Sequence, residues 1–249
     1  MEQSEYLAAI TTESNALADA AAVTSFDAPV LSCPGWTMID LVVHAGLVQR
    51  WATEIVATNA QERPAFGEAP MLTSSAELAE WFREGSVALV AALAGADVDA
   101  PVWNFAFERK LAFWFRRQAQ EVSVHRWDAE VTAGAPTPLA AALAADGIDE
   151  WLGMLAVRGA GALPEGDGET TIHLHCTDVD GEWLVRRSPD GLDIERAHAK
   201  GDVAARGTAS DLDLHLWGRV PVGALELFGD PALLESLRTA GIRNEKEPT

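Results

Sequence analysis

The amino-acid sequence predicts an α+β protein of two domains, an antiparallel four-helix bundle followed by a small α+β domain. Three observations carry that expectation. Apolar residues recur at helical spacing in four long stretches before residue 134. Beyond residue 169 the period falls to two, the spacing of strands. A Gly-rich segment at 159–168 separates the two regimes. The expected domains are therefore 1–158, with a connecting helix near 139–157, and 159–249.

Each element has its own signal. Residues 3–23 place Tyr6, Leu7, Ile10, Leu17 and Val23 near one stripe among alanines and acids. Pro34 and Gly35 punctuate the chain before a second helix, which Thr37 and Asp40 open with the form of a capping box and which runs to about Asn59. Pro64, Gly67 and Pro70 mark 60–73 as a loop. Ser74 and Glu77 open a third helix, which reaches Ala94 before Gly95. A loop rich in Trp and Phe covers 97–108, and a fourth helix covers about 110–133, stopped by Gly134 and Pro136. In the second half Ile172, Leu174 and Cys176 alternate with Thr171, His173, His175 and Thr177, a strand with one apolar face. Asp180-Gly181 and Pro189-Asp190-Gly191 turn the chain into strands at 183–187 and 192–196. A strand near 202–208, a helix near 209–217, a short strand near 224–228 and a helix near 231–240 complete the domain.

Composition excludes several function classes. The 249 residues include 38 acids and 18 bases, a formal net charge of −20, and 48% are apolar. Binding to a nucleic-acid backbone needs clustered Lys and Arg, which this chain lacks, so no nucleic-acid partner is expected. No stretch approaches the roughly 18 uncharged apolar residues of a membrane span. The N-terminus carries Glu2 and Glu5 in place of the basic and apolar regions of a signal peptide, so a soluble cytoplasmic protein without a membrane partner is expected. Cys33 and Cys176 are too few and too far apart for a disulfide framework.

Chemistry concentrates in the bundle half. Glu121 and His125 are spaced i, i+4, which on a helix puts them about 40° apart around the axis and about 6 Å along it. Both can reach one ion. His44 sits among Leu41, Val42, Val43, Leu47 and Val48, a setting that faces it toward the bundle core. Brought opposite Glu121 and His125, it would complete a two-His, one-carboxylate set with open positions, as catalytic metal sites require. Taken singly, the pair also fits a solvated helix face and His44 a core histidine.

Cys33-Pro34-Gly35-Trp36-Thr37 with Asp40-Leu41-Val42-Val43-His44 resembles the N-terminal signature of the mycothiol-dependent maleylpyruvate isomerase family, and Glu121-Val122-Ser123-Val124-His125-Arg126-Trp127-Asp128 resembles its second signature. Gly207-Thr208-Ala209-Ser210-Asp211-Leu212, Leu216-Trp217-Gly218-Arg219 and Gly229-Asp230-Pro231 are similar to its C-terminal domain. The resemblance implies a DinB-like bundle holding a divalent metal, usually zinc, through His44, Glu121 and His125, and a sterol-carrier-like second domain. It implies mycothiol as cofactor or co-substrate and a small-molecule substrate. In an isomerase of this type the thiolate adds to a cis double bond, the resulting single bond rotates, and elimination releases the trans isomer. A mycothiol S-transferase acting on electrophiles, and a metal- or small-molecule-binding sensor, are the alternatives on the same scaffold.

Other residues carry two readings each. Arg219, in the stretch similar to the family's C-terminal motif, would clamp a substrate carboxylate or cap the preceding helix. In a chain this acidic, an anionic substrate needs such local cations. Arg83, Arg109, Lys110, Arg116 and Arg117 attract an anionic ligand or balance neighbouring acids. Asp128 orients the His125 imidazole or is a solvated acid. Cys33 reads as part of a packed turn rather than a nucleophile, and Cys176 as core. His173 and His175 bind a metal or stand exposed on their strand. Most of Trp36, Trp51, Trp81, Trp114 and Trp127 are expected in the core, with Trp103 and Phe105 lining a pocket.

Overall fold

In a computed structural model of the chain, the described residues are 1–106, 108–158, 162–163 and 168–242. They group into two compact units, Met1–Thr137 and Pro138–Thr249. The Gly-rich linker expected at 159–168 lies largely outside the described residues.

The first unit holds α1 (Gln3–Val23), α2 (Met38–Thr58), α3 (Ser75–Ala94) and α4 (Ala112–Ala133). The capping signals act as expected. Thr37 and Asp40 form a capping box at the start of α2, and the Ser74 hydroxyl accepts a hydrogen bond from the Glu77 amide of α3. Gly134 ends α4 in the left-handed region, at φ +81°. The buried stripe of α1 is Ile10, Ser14, Leu17, Ala18 and Ala21. Val23, expected on that stripe, is 84% exposed because it falls on the last turn, beyond the core. Both α1 and α2 pack against α3 and α4, whereas α1 and α2 touch each other little. Consecutive helices α1 and α2 therefore sit diagonally, an arrangement that the long connection at 24–37 permits. The core at this end combines Leu17, Met38, Leu41, Leu78 and Phe82 with Val122 of α4.

α4 is unusual in burying charge. Arg117, His125, Arg126 and Asp128 are all buried. The Arg126 guanidinium donates to Glu13 of α1 at 2.6 Å, to Glu130 at 2.8 Å, and to the carbonyl and hydroxyl of Thr137 at 2.6 and 2.7 Å. It thus ties α4 to α1 and to the point where the chain leaves the unit.

The second unit contains α5 (Ala141–Val157), a five-stranded sheet and two further helices. The strands are β1 (Thr170–Cys176), β2 (Glu182–Ser188), β3 (Gly191–Glu195), β4 (Val203–Gly207) and β5 (Glu226–Gly229). The helices are α6 (Ala209–Leu216) and α7 (Pro231–Ile242), with one turn of 3₁₀ helix at Val222–Ala224. Strand order is β3-β2-β1-β4-β5, antiparallel except for the β1–β4 pair. The connecting helix expected near 139–157 is present as α5, but the units divide after Thr137 rather than after 158. The physical reason is its packing: α5 lies against α6 and α7, and Asp149 of α5 accepts a hydrogen bond from the Trp183 indole of β2 at 2.6 Å. Ile172, Leu174, Val185 and Trp183 form the buried face of the sheet. His173, read from sequence as either a metal ligand or an exposed residue on the opposite face, is 7% exposed.

Replacing Arg126 with Met should destabilise the chain by about 3–5 kcal/mol, because Glu13 would remain buried without its partner. Urea unfolding of the single variant, compared with the Glu13→Gln, Arg126→Met double variant, checks this. The double variant should recover part of the loss.

Candidate metal centre

α2 and α4 pack against each other, and their facing sides carry His44 and the Glu121, His125 pair. His44 Nε2 lies 3.1 Å from Glu121 Oε1, and His125 Nε2 lies 3.3 Å from the same oxygen. One donor atom from each residue falls within 4.8 Å of the other two. Around a tetrahedral ion with bonds of about 2.0–2.2 Å, ligand atoms are spaced by roughly 3.3–3.6 Å, so small side-chain shifts suffice to fit the set. Two imidazoles and a carboxylate suit zinc and similar divalent ions, with positions left over for a ligand.

The His44 side chain is 36% exposed, not buried in the core. Leu41, Val42, Ala45, Gln49 and Ala52 form the buried stripe of α2, and His44 lies on its shoulder. The cluster therefore opens to solvent on one side, which a site for an exchangeable ligand requires.

Surrounding groups hold the three side chains in place. The fully buried Asp128 carboxylate accepts a hydrogen bond from His125 Nδ1 at 2.9 Å, which aims Nε2 at Glu121 and settles the two readings of Asp128 in favour of orientation. The Cys33 thiol donates to the same Asp128 oxygen at 3.4 Å. Cys33 belongs to a turn closed by hydrogen bonds from Val30 N to Trp36 O and from Trp36 N to Cys33 O, and Gly35 takes the left-handed conformation there, at φ +89°. The turn seats the Trp36 ring 4.9 Å from the His44 ring and 6.1 Å from that of His125, between centroids. On the far side of the carboxylate, Arg117 Nη2 lies 3.1 Å from Glu121 Oε2.

Electrostatics follow from these contacts. Burial alone would raise the Glu121 pKa, but hydrogen bonds from His125 and His44 and the charges of His125 and Arg117 hold it well below the usual range. Burial alone would lower the His125 pKa, but Asp128, Cys33 and Glu121 hold it well above the usual range. The same acceptors that favour a proton on this imidazole favour a cation beside it.

Of the residues singled out by sequence, His44, Glu121 and His125 come together, with Asp128 and Cys33 behind them. Trp36 and Arg117 complete the surroundings. Trp36 was expected simply as core, and Arg117 carries its own signal, the i, i+4 spacing to Glu121. Among the other cations, Arg83 pairs with Asp19 and Lys110 with Asp99, so they balance acids. Arg219 lies in the second unit just after α6, where its guanidinium donates to the Trp217 carbonyl at 2.8 Å. Trp103 and Phe105 pack into an aromatic cluster with Trp51, Phe113 and Trp114. Cys176 is core, its thiol pushed up to about 12 by burial and by the Asp178 charge.

Comparison with known families gives two matches. Residues 7–130 match the family model described as the mycothiol maleylpyruvate isomerase N-terminal domain, and residues 142–236 match the C-terminal domain of the same family. Among solved structures, a mutant of the mycothiol-dependent maleylpyruvate isomerase superposes with a TM-score of 0.62 at 12% identity, covering 91% of this chain and 93% of that one. A second structure of that isomerase gives 0.59 at 13% identity with the same coverage. Identities this low show a shared fold. A search of curated proteins finds no match. No helix among the described residues is long and apolar enough to cross a membrane. With both domain models matched in order and over most of the chain, the protein belongs to the mycothiol-dependent maleylpyruvate isomerase family.

Proposed function

We propose that this chain is a metal-dependent enzyme that uses mycothiol to isomerise a small substrate of the maleylpyruvate type. The observation that carries the proposal is the convergence of His44 and His125 on one Glu121 oxygen, at 3.1 and 3.3 Å, on the solvent-open shoulder of the bundle. His44, Glu121 and His125 would hold a divalent cation, zinc by the chemistry of the donor set. When bound, such an ion supplies the positive charge that keeps a low-molecular-weight thiol deprotonated near neutral pH.

The protein's own residues do the rest. Asp128 accepts from His125 Nδ1, so Nε2 is the nitrogen turned to the site and would meet the ion on giving up its proton. Arg117 holds Glu121 ionised and limits its rotation. Trp36 lies beside both imidazoles.

Replacing His44, Glu121 and His125 together with Ala should abolish stoichiometric zinc binding at this site, read by equilibrium dialysis with metal analysis and compared with a His44→Ala single variant. Changing Asp128 to Asn should weaken zinc at the same site by about 10–100-fold while the fold survives, since a carboxamide holds the imidazole less firmly. Incubating the metal-loaded chain with maleylpyruvate should yield the trans isomer only when mycothiol is present. A stable thioether would instead identify the S-transferase alternative, and metal binding without any thiol-dependent reaction would identify the sensor.

A further inference from the structure

The sheet of the second unit gathers another set of nitrogen and oxygen donors. His173 and His175 are two residues apart on β1, so the pleat directs both to one face. Antiparallel register sets Glu182 of β2 directly opposite His175. Because β4 pairs with β1 while β3 lies beyond β2, the chain between β3 and β4 must cross back over the sheet, and His198 lies on that crossover.

These placements bring three imidazoles around one carboxylate. His175 Nδ1 is 2.8 Å from Glu182 Oε1, and His198 Nδ1 is 2.6 Å from Glu182 Oε2. His173 Nε2 lies 3.4 Å from the second oxygen without forming a hydrogen bond, and this buried nitrogen has no hydrogen-bond partner among the described residues. The ring centroids are 5.7–6.5 Å apart, and one donor atom from each of the four residues falls within 4.8 Å of the others. The carboxylate has lone pairs enough for three donors, but His175 and His198 take its oxygens at close range and the His173 nitrogen is left at 3.4 Å without a hydrogen bond. A buried nitrogen without a partner is costly unless something else satisfies it.

We propose that His173, His175, Glu182 and His198 form a second divalent-metal site, separate from the bundle triad. Three imidazoles and a carboxylate select a late first-row transition ion such as Zn²⁺, Co²⁺ or Ni²⁺ over Mg²⁺ or Ca²⁺, which take oxygen donors. The ion gives the orphaned His173 nitrogen its partner and draws the crossover segment onto the sheet through His198. An open cavity of about 510 Å³, lined by His173, His198, Lys200, Asp202 and Phe228 among others, adjoins the cluster. It leaves the ion room for water or a small anion.

Cobalt titration of the untagged, metal-free full chain tests this, followed by visible absorption and equilibrium dialysis. The wild-type chain should bind two equivalents. The Glu182→Gln, His198→Ala variant and the His44→Ala, His125→Ala variant should each bind one, and the combination of all four substitutions none. The His198 side chain is 82% exposed, so His198→Ala alone leaves the packing intact and should weaken the second equivalent at least tenfold. The proposal is overturned if the sheet variants leave both stoichiometry and spectrum unchanged. It is overturned equally if the only equivalent bound disappears with His44 and His125. Loss of cobalt with the sheet variants alone would support this site and contradict the bundle site instead.

Discussion

The bundle depends on how α4 pairs the charges it buries. An ion removed from water costs several kcal/mol unless a partner meets it with good geometry. On α4 the partners come from every side: Glu13 of α1 and Thr137 at the exit for Arg126, His44 of α2 for Glu121, and the Cys33 turn for Asp128. A slip of one residue would rotate α4 by about 100° and strand all of these groups at once. Apolar contacts alone tolerate small displacements, whereas these pairs fix the helix to within a hydrogen bond. The donors of the proposed metal site are thereby held in advance of any ligand, and Arg126, which touches none of them, shares in holding them.

This constraint also gives the acidity of the chain a local meaning. A net charge of −20 repels anions at long range. Around His44 and His125, however, Glu121 and Asp128 make a setting that favours a cation, and the ion proposed there would reverse the sign of the field where a thiolate or carboxylate arrives. Exposure of His44 on the shoulder of α2 leaves the path open. A fully buried His44 would hide the proposed ion from its ligand.

Much of this was legible in sequence because the signals are local. Thr37 with Asp40, Ser74 with Glu77, and Gly134 place helix ends through contacts within four residues. The turns at Asp180-Gly181 and Pro189-Asp190-Gly191 likewise place the strands. The Glu121, His125 pair was visible by its spacing, and the family signatures joined His44 to it. What was not legible depends on contacts between residues distant in sequence. Cys33 and Asp128 meet across 95 positions. The grouping of α5 with the second unit depends on α6 and on Asp149 meeting Trp183, neither of which leaves a trace in the periodicity of 139–157. His173 alternates like an exposed residue, yet it is buried, at the inner end of a cluster assembled from β1, β2 and a crossover.

The proposed site needs α4 and α2 to present three preformed ligands to a divalent ion. Anomalous diffraction at the zinc edge, from crystals of the zinc-loaded full chain, tests it most directly. A peak is expected within bonding distance of His44 Nε2, His125 Nε2 and a Glu121 oxygen, with Asp128 still bonded to His125 Nδ1. A zinc-loaded crystal with no anomalous density between those three side chains would contradict it.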